Sequence, residues 1–92
     1  MSNFDAYDEE FQSECQKISN GISELRESVG NDTEKVATTI REIDGLISRT
    51  TKLLKQMDLE VCEQEAGTKK VLKEKMTLYR NTLLSHRSDF ER

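Results

Sequence analysis

The residues of this 92-residue chain that can carry chemistry are few and scattered. His86 is the only histidine, and Cys15 and Cys62 are the only cysteines. A histidine titrates near about 6.5 and can serve as a base, an acid or a pH switch. Nucleophilic catalysis also needs a thiol or hydroxyl in register with it and a third group to orient it, and no such set exists here. His86 instead follows Leu83 by three residues and precedes Phe90 by four, which reads as the edge of an apolar helical stripe. Two distant cysteines and one histidine do not make a zinc site. No Asp-x-Asp-x-Asp-Gly run suggests a calcium loop. Asp44, Glu63 and Glu65 read as parts of solvated helix faces. The expectation is a non-enzymatic chain with no catalytic residue, no cofactor and no metal.

The elements that would carry these residues are legible from spacing. The chain has no proline and four glycines, so long helices are permitted. Phe4, Tyr7, Phe11, Cys15, Ile18, Ile22, Leu25 and Val29 form one stripe, with a 4, 4 interruption at Phe11–Cys15 that predicts a local shift of the packing face. Val36, Ile40, Ile43, Ile47, Thr50, Leu54, Met57 and Val61 form a second, widened by Leu46 and Leu53. Leu72, Met76, Tyr79, Leu83, His86 and Phe90 form a third, flanked by Val71, Leu78 and Leu84. Gly30 suits the left-handed position that ends a helix, and Asn31, Asp32 and Thr33 offer N-caps for the next. Gly67 and Thr68 repeat that stop-and-cap pattern. The predicted helices span about 3–29, 33–64 and 68–91. No helix buries its stripe alone, and short connections make neighbours antiparallel. The expected fold is therefore all-α: an antiparallel up-down-up three-helix bundle with left-handed twist, in one domain covering 1–92. Gly21 and Gly45 fall inside helices, where each costs about 1 kcal/mol relative to alanine. They read as surface glycines or as points of close helix approach.

Charge is placed unevenly. The net charge is −4, which argues against a general nucleic-acid binder. Asp5, Asp8, Glu9, Glu10 and Glu14 crowd the start of the first helix, where the helix dipole favours them. Lys69, Lys70, Lys73 and Lys75 crowd the start of the third, where it does not. In an up-down-up bundle those two starts lie at the same end, so the clusters can offset one another. No stretch approaches the roughly 18 apolar residues of a membrane span. The N-terminus lacks the basic and apolar regions of a signal peptide. The cysteines read as reduced thiols of a cytosolic protein. In an antiparallel helix pair they would come to the same end, which leaves a redox role as a remote alternative.

Specific residues then carry a resemblance. Ser2-Asn3-Phe4-Asp5-Ala6-Tyr7-Asp8-Glu9-Glu10-Phe11 is similar to the Phe-x-x-Tyr-x-x-x-Phe opening of the Qb-type SNAREs named for vesicle transport through interaction with t-SNAREs. Leu53-Leu54-Lys55-Gln56-Met57-Asp58-Leu59-Glu60-Val61 resembles that family's Leu-Leu-x-Gln-Met-Asp-Leu-Glu-Val stretch. Met76 through Tyr79-Arg80, and Asp89-Phe90-Glu91-Arg92, resemble its third helix. The resemblance implies an N-terminal Habc-type domain, with the SNARE motif and membrane anchor lying outside this chain. It implies a role in trafficking among Golgi, endosomes and vacuole or lysosome, on the cytosolic face of those membranes. The implied partners are other SNAREs, through the missing SNARE motif, and an epsin-type adaptor or tether, through this domain. The turn Glu65-Ala66-Gly67-Thr68 departs from the proline-containing turn of many members.

The charge pattern and this turn single out one expected docking surface, where the first helix starts and the second and third meet: Asp8, Glu9, Glu65, Thr68, Lys69 and Lys73. The domain is expected to be a monomer with no nucleic-acid partner. The competing reading is a structural bundle, spectrin-like or self-associating, whose stripes would look much the same. The Phe4–Phe11 opening and the Met57–Val61 match tilt against it, and no internal repeat supports it.

Overall fold

In the computed structural model, the structure describes residues 3–28 and 33–91. They form three helices and no strand: α1 (Asn3–Ser28), α2 (Thr33–Cys62) and α3 (Ala66–Glu91). The bundle is a rod of 52 × 20 × 15 Å. Its long dimension follows from α2, whose 30 residues at about 1.5 Å each span roughly 45 Å. Cross-links give the topology. Asn3 at the start of α1 donates to Glu60 near the end of α2, and Glu14 meets Arg49 one helical segment further along. Asp8 of α1 meets Lys75 and Tyr79 of α3. α2 therefore runs antiparallel to α1, and α3 returns parallel to α1.

The core is a single seam. Phe4, Phe11 and Ile18 of α1, Ile43 and Met57 of α2 and Met76 of α3 are at most 2% exposed. α2 is the central element, burying residues from Thr39 to Val61, whereas α3 fully buries only Met76 and Leu83. The α1–α2 interface is the widest and the α1–α3 interface the narrowest. Thr50, with no exposed surface, sits in the seam because its hydroxyl donates to the Leu46 carbonyl at 2.6 Å, so its own polar group is satisfied.

Three sequence expectations change. The buried series on α1 is Phe4, Asp8, Phe11, Cys15, Ile18 and Ile22, which alternates 4 and 3 without a break. The 4, 4 interruption came from placing the partly buried Tyr7 in the stripe where the protein places a carboxylate. On α2, Ile40 leaves its stripe. It is 42% exposed and lines an open cavity of about 440 Å³ with Ile22, Leu25, Val36 and Phe90, where the three helices do not close on one another. At the second turn, α2 ends at Cys62 and α3 starts at Ala66, two residues earlier than the stop-and-cap pattern predicts. The amides of Glu63 and Gln64 reach back to the Glu60 and Val61 carbonyls, and the Lys69 amide bonds the Glu65 carbonyl at 2.7 Å. The Glu60 and Val61 carbonyls in the last turn of α2 are thereby satisfied without a left-handed glycine. Gly67 and Thr68 lie in the first turn of α3, and Glu65 is the residue that precedes it. The expected stop at Gly30, the caps at Asn31 and Asp32 and the stripe residue Val29 lie outside the described residues.

The two helical glycines separate cleanly. A Cβ on Gly21 would lie 2.8 Å from Ile43 Cγ1 and 3.0 Å from its Cδ1, whereas one on Gly45 would meet nothing within 4 Å. Ile43 is β-branched, stiff at χ1 and buried, so it has little room to yield. Gly45→Ala is expected to raise stability by about 0.5–1 kcal/mol through helix propensity. Gly21→Ala is expected to lower it by about 1–2 kcal/mol, the overpacking outweighing the same propensity gain. Paired urea titrations of the two variants check the opposite signs.

Candidate functional site

The sequence places a carboxylate, Asp8, at a core position of α1, and the opposite face of α3 supplies its partners. Lys75 Nζ donates to Oδ2 at 2.6 Å, the Tyr79 hydroxyl to Oδ1 at 2.5 Å, and Gln12 Nε2 to Oδ1 at 3.0 Å. Gln12 Nε2 also reaches the Tyr79 oxygen at 3.3 Å. The Tyr79 ring stacks on Phe11 with centroids 4.6 Å apart. The Lys75 ammonium stands 6.0 Å and 5.8 Å from the Phe4 and Tyr79 ring centres. Burial works to raise the Asp8 pKa, but the hydrogen bonds from Lys75, Tyr79 and Gln12 and the lysine charge outweigh it, holding the carboxyl below its ordinary value. The same bond raises Lys75, and burial followed by the bond to Asp8 raises Tyr79. This polar node ties α1 to α3 across the narrowest interface of the bundle. Asp8 and Lys75, one from each of the opposing charge clusters, form a close ion pair.

The expected docking surface therefore loses one member. Asp8 is 7% exposed and bonded to Lys75 and Tyr79 of α3, which leaves little of it open at the surface. Glu9, Glu65, Thr68 and Lys73 are exposed, and Lys69 is half-buried. Glu65, Thr68, Lys69 and Lys73 lie together on the turn and the first two turns of α3. Glu9 stands on the start of α1, the neighbouring helix at the same end.

Two grooves flank α3. On the α1 side, Phe11, Gln12, Cys15, Gln16, Ser19, Leu78, Tyr79, Thr82 and His86 line a depression of about 460 Å³. His86 is half-buried there, the edge position its spacing predicts. On the α2 side, Thr51, Leu54, Lys55, Asp58, Arg80, Leu83, Leu84 and Arg87 line another of about 260 Å³. It continues past Lys55 and Arg87 to Lys52, Ser48, Ile47 and Asp44. Arg80 Nη1 spans it to both oxygens of Asp58, at 2.9 and 3.1 Å. Both partners are about half exposed, so this bond steers α3 against α2 more than it stabilises.

The cysteines are free, Cys15 buried and Cys62 exposed. They do not come to the same end. Glu14 is level with Arg49, so Cys62 lies about thirteen residues, or roughly 20 Å, further along the rod. Burial, with the nearby Glu14 charge, pushes the Cys15 thiol up to about 11. At pH 8 about one molecule in a thousand carries that thiolate. Iodoacetamide on the native protein is expected to modify Cys62 and spare Cys15 until denaturant is added. Mass spectrometry of the alkylated peptides reads the ratio, and equal labelling would contradict the buried placement.

The sequence reading set the cluster that holds Asp8 beside the one that holds Lys75, but it did not find Tyr79 and Gln12 as partners of Asp8, the burial of that carboxylate, or the basic rim of the α2–α3 groove. One signal was present for the burial: replacing Tyr7 by Asp8 in the α1 stripe restores an unbroken 4, 3 alternation.

With this geometry in hand, comparison with known families gives one result. The family described as vesicle transport v-SNARE protein, N-terminus, matches residues 1–92. No curated protein and no solved structure matches the chain at a significant level.

Proposed function

Because the chain belongs to the vesicle transport v-SNARE N-terminal family, and is thus a SNARE-related vesicle-trafficking domain, we propose that it is a non-catalytic docking module of a longer, membrane-anchored SNARE. In this reading the SNARE motif pairs with other SNAREs, while these three helices, as a monomer, receive an epsin-type adaptor, a tether or another regulator. The compartments are Golgi, endosomes and vacuole or lysosome, with the domain on their cytosolic face. The observation that carries the proposal is the one-sided burial of α3, which leaves Val71, Leu78 and Leu84 63%, 62% and 60% exposed along its length. A bundle serving only its own stability has little reason to leave its third helix so open. Glu9, Glu65, Thr68, Lys69 and Lys73 remain the proposed contact patch at the α2–α3 turn. Within it, charges at an interface rim set association rate and partner choice more than affinity.

The test is an NMR titration of the domain with an epsin-type adaptor domain and, separately, with the SNARE-motif segment of the full-length protein. Shifts with the adaptor make the domain a sorting module. Shifts with the SNARE segment alone make it a clamp on its own protein instead. Reversing Glu65 and Lys69 is expected to weaken adaptor binding about tenfold, and unchanged affinity would remove the patch from the proposal. Self-association in sedimentation would favour the structural-bundle alternative.

A further inference from the structure

The α2–α3 groove has an apolar floor and an unbalanced rim. Leu54 and Leu83 close its base, and Leu84 projects into it 60% exposed. Four cations line it and its continuation: Lys52, Lys55, Arg80 and Arg87. Asp58 is occupied by Arg80. No ion pair joins Lys52, Lys55 or Arg87 to a carboxylate among the described residues, and Asp44 is the other acidic side chain of the lining. The positive rim continues along the same face of α3. Lys73, Arg80, Leu84 and Arg87 follow at intervals of 7, 4 and 3, one stripe on a helix. From Asp44 to Asp58 the groove runs fourteen residues of α2, about 21 Å or four helical turns.

We infer that this groove seats an acidic amphipathic helix of a partner protein, its apolar residues on Leu84 and the Leu54–Leu83 floor and its carboxylates against Lys52, Lys55 and Arg87. The inference rests on the docking reading above and names the chemistry of the partner. A helix is the occupant because the groove runs about four helical turns along α2 and is bounded by two helices, so a third completes ridge-into-groove packing. The partner is acidic because the lining sets four cations against two carboxylates, one of which, Asp58, is already taken by Arg80. An anionic membrane fits less well. The apolar floor is recessed between two helices, and the chain's overall charge of −4, with −5 on its first thirty residues, repels such a surface.

The test titrates the 92-residue domain, followed by amide NMR, with a synthetic fourteen-residue amphipathic peptide carrying a leucine stripe flanked by glutamates. The same peptide with lysines for the glutamates and phosphatidylserine vesicles are the other arms. The glutamate peptide is expected to shift Thr51, Lys55, Leu84 and Arg87, to bind more weakly as salt rises, and to lose about tenfold in affinity to Lys55→Glu and again to Arg87→Glu. Both side chains are exposed and without ion pairs, and circular dichroism confirms that the variants fold. Equal binding of the lysine peptide, shifts confined to the Leu78–His86 groove, no shift at about 1 mM peptide (the weakest affinity worth the name), or shifts here with vesicles and not with the peptide would each overturn the inference. An adaptor that binds at Glu65 and Lys69 and leaves Leu84 and Arg87 unshifted overturns it while the docking reading stands. A seated glutamate peptide with no adaptor binding supports the groove and removes the adaptor.

Discussion

Phe11→Ala is expected to remove about 4 kcal/mol of stability, the usual cost of truncating a buried phenylalanine. The ring is 1% exposed. It also stacks on Tyr79, the residue whose hydroxyl holds Asp8, so the cavity would open where α1 meets α3. That interface is the narrowest of the three and has few other contacts to absorb the loss. A domain of 92 residues has about 5–14 kcal/mol in all. The variant should therefore melt roughly 15–30 °C lower and sit near the folding threshold at 37 °C. Calorimetry or thermal circular dichroism measures this. A loss under about 1 kcal/mol would mean that α3 does not depend on the Phe11–Tyr79 stack.

Asp8→Ala is expected to cost about 2 kcal/mol, because it removes the acceptor of three hydrogen bonds, one of them from a charged donor. Lys75→Met is expected to cost about as much, for a different reason. It leaves a carboxylate that is only 10% exposed facing no cation, although the half-open position of Lys75 keeps the penalty below that of a fully buried pair. The two losses should not add, since both break one node.

The pH dependence follows from the direction of each shift. The Asp8 pKa is lower in the folded state than its ordinary 3.8, so its contribution is complete above that value and is lost as pH falls through the folded pKa. Lys75 and Tyr79 are raised above 10.5 and 10.0, so theirs is complete below those values and is lost as pH rises beyond them. The node is intact from about pH 4 to about pH 10. Urea titrations of the native chain and of Asp8→Asn between pH 2 and 5 should converge toward the acid end, and parallel curves would contradict this account.

These two variants also bear on function. Both loosen α3, the helix that lines both grooves and carries the turn residues Thr68, Lys69 and Lys73. A partner that grips the α2–α3 side should feel Phe11→Ala and Asp8→Ala only through the position of α3. Charge reversals at Lys55 or Arg87 should act on binding without acting on stability. Measuring stability and affinity on the same four variants separates the helix that presents the surface from the side chains that make it.

Much of this protein was determined by the sequence alone. Helical periodicity specifies three amphipathic segments, because a 4, 3 alternation fits one face of an α-helix and no strand. Short connections make them antiparallel, and the opposing charges on the starts of the first and third helices anticipate the Asp8–Lys75 bond. The motifs at Phe4–Phe11 and Met57–Val61 point to the family that matches residues 1–92. What only the tertiary structure decided lies where a residue's type and its environment disagree. Tyr7 reads as core and Asp8 as surface, yet Asp8 is the buried one, since a carboxylate can enter the seam when lysine, tyrosine and glutamine from two helices converge on it. Gly67 reads as a stop, but backbone bonds had already closed α2, so the glycine was free to enter α3. Gly21 and Gly45 are alike in sequence and differ only in what lies across from them. The basic rim of the α2–α3 groove is invisible in one dimension, because Lys52 and Lys55 come from one helix and Arg87 from another. Their charge becomes a surface property only when packing brings them to one groove, where Asp44 and Asp58 are fewer than the cations.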